Sequence, residues 1–178
     1  MDITNWKKTS EKIVHKNPHF QIHEEDLIRP DGSKTKYYVM DRYAPFAIVI
    51  PIDVSGKIFL VHQYRVPVKQ MSWEFPMGGV IGKEPLDIAK QELKEELGMT
   101  AATWMYIGLF HVANGFCSQK GYVFIARELT KGKPQPEPGE FIEWKLFSIH
   151  EIEKMIKNGR IKDSPSITSF YFFTQQMK

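Results

Sequence analysis

The run Glu92-Leu93-Lys94-Glu95-Glu96-Leu97-Gly98 places three carboxylates within five residues, directly behind the glycine turn Pro76-Met77-Gly78-Gly79. At about 100° per residue, Glu92, Glu95 and Glu96 fan out along one side of a helix. Leu86, Ala89, Leu93 and Leu97 form a separate apolar stripe that can face a core. Pro85 suits a first helical position and Gly98 a C-terminal cap, so the spacing predicts a helix that starts near Pro85 and stops at Gly98. Like charges at these spacings repel one another, and a divalent cation with oxygen ligands would relieve them. A solvated acidic face is the simpler reading of the periodicity alone. The flanking segments decide against it.

Around that helix the chain is rich in strand patterns. Residues 46–52 are a near-continuous apolar run of the kind found inside sheets. The turn Asp53-Val54-Ser55-Gly56 leads to a second strand over 57–65, and Trp73-Glu74-Phe75 forms a short strand before the glycine turn. Residues 103–112, 121–126 and 141–147 also read as strands, and helices are predicted over 149–158 and from Pro165 towards Met177. Residues 131–140 are a loop interrupted by Pro and Gly, of a length that tends to be functional. Ahead of all this, residues 20–23 and 36–40 read as two strands around the turn Arg29-Pro30-Asp31-Gly32-Ser33. This extension, 1–43, is too small for a core of its own and is expected to pack on the main domain, 44–178, or on a second subunit. The fold class is α+β: a strand-rich mixed sheet with the acidic helix on one side and the C-terminal helices on another.

Composition narrows the function. A chain of 178 residues with 42% hydrophobic residues can build one full core. A net charge of +3, with no basic run of five or six, argues against nucleic acid. The single cysteine, Cys117, forms no intramolecular disulfide; it suits a reducing compartment and the role of a small buried filler. No stretch has signal-peptide or membrane-spanning character, so the expected setting is cytoplasmic, without a membrane partner. The histidines show no zinc-site spacing.

Strand, glycine turn, acidic helix and Gly cap together resemble the Nudix box, G-x5-E-x7-R-E-U-x-E-E-x-G-U, over residues 78–99. Glu92, Leu93, Glu95, Glu96, Gly98 and Met99 match its second half. Further segments look like the ADP-ribose and nucleoside-diphosphate-sugar pyrophosphatase branch: His62-Gln63-Tyr64-Arg65, Trp73-Glu74-Phe75-Pro76, Asn114-Gly115-Phe116-Cys117-Ser118, Glu140-Phe141-Ile142-Glu143, and the stretch 156–163. The resemblance implies a Nudix fold, an α/β/α sandwich with a small N-terminal β extension. It implies metal-dependent hydrolysis of a nucleoside diphosphate linked to another group, with Mg²⁺ or Mn²⁺ as cofactor.

By that analogy Glu92 and Glu96 are the principal metal ligands, Glu95 ligates or bridges a second ion, and the carbonyl of Met77 completes the shell. Glu140 is the choice for the residue that positions or deprotonates the attacking water, with Glu137 and Glu143 as rivals. Arg65 matches a diphosphate-contacting arginine, Glu74 lies where substrate contacts are made, and Gly78 lets backbone approach metal and substrate. The same analogy implies a homodimer in which the N-terminal strands exchange.

Two departures stand out: Gln91 replaces the box arginine, and Lys83 stands where the first box glutamate is expected, in a turn one residue short. Two hypotheses follow. One is an active pyrophosphatase; the other is a catalytically weak or silent domain that binds a nucleotide or nucleotide sugar as a sensor. The intact acidic trio favours the first.

Overall fold

The computed structural model describes residues 2–79, 81–135, 139 and 141–177, and the chain separates into two compact units. The first covers the chain to Ala44 together with His111–Lys120. In it, β1 (Lys7–Lys16), β2 (Phe20–Ile28) and β3 (Lys34–Arg42) form an antiparallel sheet in the order β1-β2-β3. The extension therefore has three strands, not the two expected. Strand β1 is exposed along its whole length and polar but for the adjacent Ile13 and Val14, so no alternation announces it. Cross-strand charges line it instead: Lys8 meets Glu25 at 3.1 Å and Lys12 meets Glu24 at 3.1 Å. Lys36 first, then Lys12, holds the Glu24 carboxyl down to about 2.

The segment 111–120 lies outside the expected bounds of the extension, yet clusters with it. Met40 bridges Cys117, and the Ser118 hydroxyl donates to Asp41 Oδ1 at 2.6 Å. Cys117 is buried, in keeping with a filler role.

The second unit spans Pro45–Phe110 and Gly121–Lys178. Its elements, some of whose ends cross into the first unit, are β4 (Phe46–Pro51), β5 (Ile58–Arg65), β6 (Gln70–Glu74), β7 (Met77–Gly78), α1 (Pro85–Leu97), β8 (Met99–His111), β9 (Lys120–Lys131), β10 (Glu143–Phe147), α2 (Ile149–Lys157) and α3 (Ser164–Gln175). One sheet has the order β7-β4-β9-β8 and another β10-β5-β6. Strand β4 is parallel to β9 and antiparallel to β7, so the first sheet is mixed.

Every residue of β4 is buried, as its unbroken apolar run requires. Its alternating side chains feed two cores. Phe46, Ile48 and Ile50 cluster with Ile152 and Met155 of α2 and Phe170 and Phe173 of α3. Ala47 and Val49 cluster with Ile88, Ala89, Leu93 and Leu97 of α1. Because successive strand side chains point to opposite faces, helices cover both sides of β4 and the unit is a sandwich. The buried stripe of α1 includes Ile88, which the expected stripe omits, and Leu86 is only half-buried. No helix among the described residues is long and apolar enough to cross a membrane.

Gly98 ends α1 in the left-handed region at φ 65°, its N–H donating to the Leu93 and Lys94 carbonyls. Its own carbonyl accepts from Gly132 N at 2.6 Å, and a Cβ here would overlap the backbone of Lys133 and Pro134. Gly98→Ala should therefore cost about 2–3 kcal/mol, combining left-handed strain with overpacking. A urea titration that leaves the midpoint unmoved would contradict this account of the cap.

Candidate functional site

The acidic helix presents two of its carboxylates inward. Glu92 and Glu96, one turn apart, are 9% and 4% exposed, on the face that also buries Leu93 and Leu97. The Glu92 carboxyl group lies against Gly78 of β7. A Cβ added there would come within 2.6 Å of Glu92 Oε2 and nearer still to Oε1, so only glycine fits. β7 is held in place by pairing Met77 with Ile48 and Gly78 with Ala47.

Glu95 takes a different direction. It is half-buried, and its Oε1 accepts a hydrogen bond from Gln91 Nε2 at 2.9 Å. The Gln91 carbonyl oxygen in turn accepts from the Lys83 ammonium. The two departures from the box are thus joined: Lys83 reaches Glu95 through Gln91.

Among the described residues, no three carboxylate, imidazole or thiolate side chains converge on one point. A cation at Glu92 and Glu96 would draw its other ligands from backbone oxygen, water and substrate phosphate. That mixture is the usual shell of Mg²⁺, and every available donor is a hard oxygen, so these residues fit such an ion. Two carboxylates this deeply buried also gain from each positive partner brought near them.

The β5–β6 hairpin adds the cation of the site. Arg65 Nε donates to Glu74 Oε1 at 3.0 Å, and Nη2 donates to Oε2 at 2.5 Å, a bidentate pair. Glu74 is 2% exposed, which rules out an idle surface acid; it holds the guanidinium of Arg65. The hydrogen bond from Arg65 to Glu74 raises the guanidinium pKa most, burial opposes it, and the charges of Glu74, Glu96 and Asp163 add to the rise.

Asp163 completes this corner, and its role was not read from the sequence. It caps α3, accepting from Ser166 N at 2.8 Å and Ser166 Oγ at 2.7 Å. Ser166 Oγ also accepts the Phe75 N–H at 3.0 Å, which ties the start of α3 to the residue after Glu74. Burial pushes the Asp163 carboxyl up, against the hydrogen bonds from Ser166. The signal available beforehand was the run Asp163-Ser164-Pro165, an N-cap followed by a proline in the first turn. Ser166 is 1% exposed, so Ser166→Ala should cost about 1–3 kcal/mol by leaving a buried N–H without its acceptor. Chemical denaturation measures it; an unchanged unfolding free energy would refute the tie.

A cleft of about 360 Å³ opens between these elements, lined by Arg65, Gln70, Ser72, Glu74, Met77, Lys162, Asp163 and Ser164 among others. Its size lies within the usual range of ligand sites, roughly 300–1,000 Å³. Glu140 and Glu137 lie outside the described residues. Glu143 is exposed at the start of β10, opposite His62. Two of the tryptophans serve packing: Trp73 stacks on His62 at 4.3 Å and Trp144 meets Phe59 edge-on at 5.4 Å.

The chain is similar to known proteins over most of its length. The family model described as NUDIX domain matches residues 42–170, and that described as nucleoside diphosphate sugar hydrolase N-terminal domain matches residues 6–40. An ADP-ribose pyrophosphatase of Bacillus subtilis (strain 168) is 29% identical over 166 residues, covering 89% of each chain. An ADP-ribose pyrophosphatase of Mycobacterium tuberculosis (strain ATCC 25618 / H37Rv) is 28% identical, over 92% of this chain and 80% of that one. A solved structure titled as an ADP compounds hydrolase superposes with a TM-score of 0.90 at 17% identity, covering 99% of this chain and 96% of the other.

Proposed function

Because the chain belongs to the Nudix hydrolase family, matched over residues 42–170, we propose that it hydrolyses the diphosphate bond of ADP-ribose or a nucleotide sugar. The products are a nucleoside monophosphate and a sugar phosphate. The observation that carries this reading is the pair of buried acids, Glu92 and Glu96, set beside Met77–Gly78 and an arginine-bearing cleft. The names of the two pyrophosphatase relatives favour ADP-ribose among the substrates.

In this mechanism Arg65 grips the diphosphate with the donors that Glu74 leaves exposed, since its side chain is 40% accessible. Glu74 is a positioning residue that fixes the guanidinium. Glu92 and Glu96, with the carbonyl of Met77 and with Glu95 at the edge, would hold Mg²⁺ or Mn²⁺. When bound, such a cation offsets charge on the phosphate oxygens and lowers the pKa of a water. Water oxygen forms the new bond to phosphorus as the bridging P–O bond breaks. The leaving phosphate keeps the electron pair, and Glu140 takes the proton from the water. The N-terminal strands exchange with those of a second copy, so gel filtration should report twice the 20.7 kDa of one chain. The setting is cytoplasmic.

A second reading, a nucleotide-binding module without turnover, draws on one observation: Glu95 is engaged by Gln91 rather than turned to its two neighbours. Incubation with ADP-ribose, ADP-glucose and GDP-mannose, plus Mg²⁺ or Mn²⁺, separates the two. Release of nucleoside monophosphate supports hydrolysis. Ligand-induced thermal stabilisation with no product from any substrate supports the binding module instead.

A further inference from the structure

The cleft beside Arg65 contains a second cation that the proposed reaction leaves unused. Lys162 lines it, across from the hairpin that carries Arg65 and Glu74. Arg65 is already committed to Glu74 by a bidentate pair, which cancels much of its charge. Lys162 is exposed and makes no ion pair or hydrogen bond among the described residues. Among the described residues that line the cleft, its ammonium is the cation that no carboxylate pairs with.

The backbone on both sides of Lys162 is anchored. Arg160 N and Ile161 N both donate to the Met155 carbonyl, at 2.8 and 3.0 Å, and Ile161 is buried at 3%. Asp163, the next residue, caps α3. The stem of Lys162 therefore starts from a fixed point on the cleft wall, and its ammonium keeps the reach of a flexible four-carbon chain. Its near neighbour Asp163 is engaged by the backbone N–H and hydroxyl of Ser166. The same cleft includes Met77, next to the glycine on which the Glu92 carboxylate lies.

We propose that Lys162 is a substrate-binding residue, its ammonium contacting the diphosphate of a nucleoside diphosphate-linked substrate from the α3 side, opposite Arg65. This rests on the hydrolytic reading above. A lysine here reads charge and not shape, so it strengthens binding to any diphosphate-linked compound without choosing the base or the sugar.

Steady-state kinetics with ADP-ribose and Mg²⁺ test the idea in wild type, Lys162→Ala, Lys162→Glu and Lys162→Arg, with Lys154→Ala on α2 as an equal loss of charge outside the cleft. Lys162→Ala should raise KM about tenfold, with the loss falling on KM rather than kcat, and Lys162→Glu should raise it further. Lys162→Arg should stay close to wild type, and Lys154→Ala should match it. The dependence of kcat/KM on salt should flatten in Lys162→Ala, a change that a purely structural role would not produce. If wild type turns over while KM in Lys162→Ala and Lys162→Glu stays within twofold, the Lys162 contact is wrong and hydrolysis stands. Wild type inactive on every diphosphate-linked compound overturns both.

Discussion

Glu96→Gln should lower kcat/KM by about 10³-fold while the thermal midpoint without cation or substrate moves by only a few degrees. Glutamine keeps the volume of a side chain that is 4% exposed, so the packing beside Leu93 and Leu97 survives. What it loses is the anionic oxygen, and with it the charge that would hold a divalent ion beside the diphosphate. Losses of 10²–10⁴ are usual when a group acting directly in such chemistry is removed. A second readout separates catalysis from folding: stabilisation of wild type by Mg²⁺ should be absent in Glu96→Gln. Glu92→Gln should behave alike, and Glu95→Gln should lose only about tenfold, because Glu95 is turned to Gln91. Equal losses at all three positions would show that Glu95 leaves Gln91 during turnover. Full activity in Glu96→Gln would remove the acidic helix from the mechanism.

Arg65→Ala should cost about 2–3 kcal/mol of stability and abolish substrate binding as well. The damage comes from the partner left behind: Glu74, with a side chain 3% exposed, would stay buried without the guanidinium that satisfies it. Breaking a fully buried pair costs about 3–5 kcal/mol. The value here is set lower because water reaches Arg65, which is 40% exposed. The double variant Arg65→Ala/Glu74→Gln should regain most of the stability, since a neutral amide needs no counter-charge. It should not regain affinity for ADP-ribose, because the phosphate-binding fork is still missing. If the double variant is no more stable than Arg65→Ala, the pair does not carry the energy assigned to it.

The parts of the fold that were legible from the sequence are those with local causes. Pro85 and Gly98 bound α1 as expected, because the proline's fixed φ and the glycine's freedom at φ 65° act within one turn of the chain. β4 was legible from its apolar run because a strand buried on both faces has no polar positions to spare. β1 was not, since a strand exposed along its length is selected by its neighbour's hydrogen bonds and charges rather than by its own pattern. The segment 111–120 falls in the first unit for a similar reason: its pairing with Met40 and Asp41 joins distant positions.

The acidic trio divides along the same line. Sequence alone determined that Glu92, Glu95 and Glu96 share a helix behind a glycine turn, because both features follow from residue type and spacing. The spacing could not determine which of them the fold turns inward together. At about 100° per residue, Glu95 and Glu96 lie on opposite sides of Glu92, roughly 100° apart. Packing of α1 on β4 and β7 carries Glu92 and Glu96 inward and leaves Glu95 to Gln91, one turn back on the same helix. Tertiary structure alone also joined Arg65 to Glu74, and Ser166 to Phe75 across 91 positions of sequence. Such contacts depend on where whole elements dock, and no local pattern of residues records that.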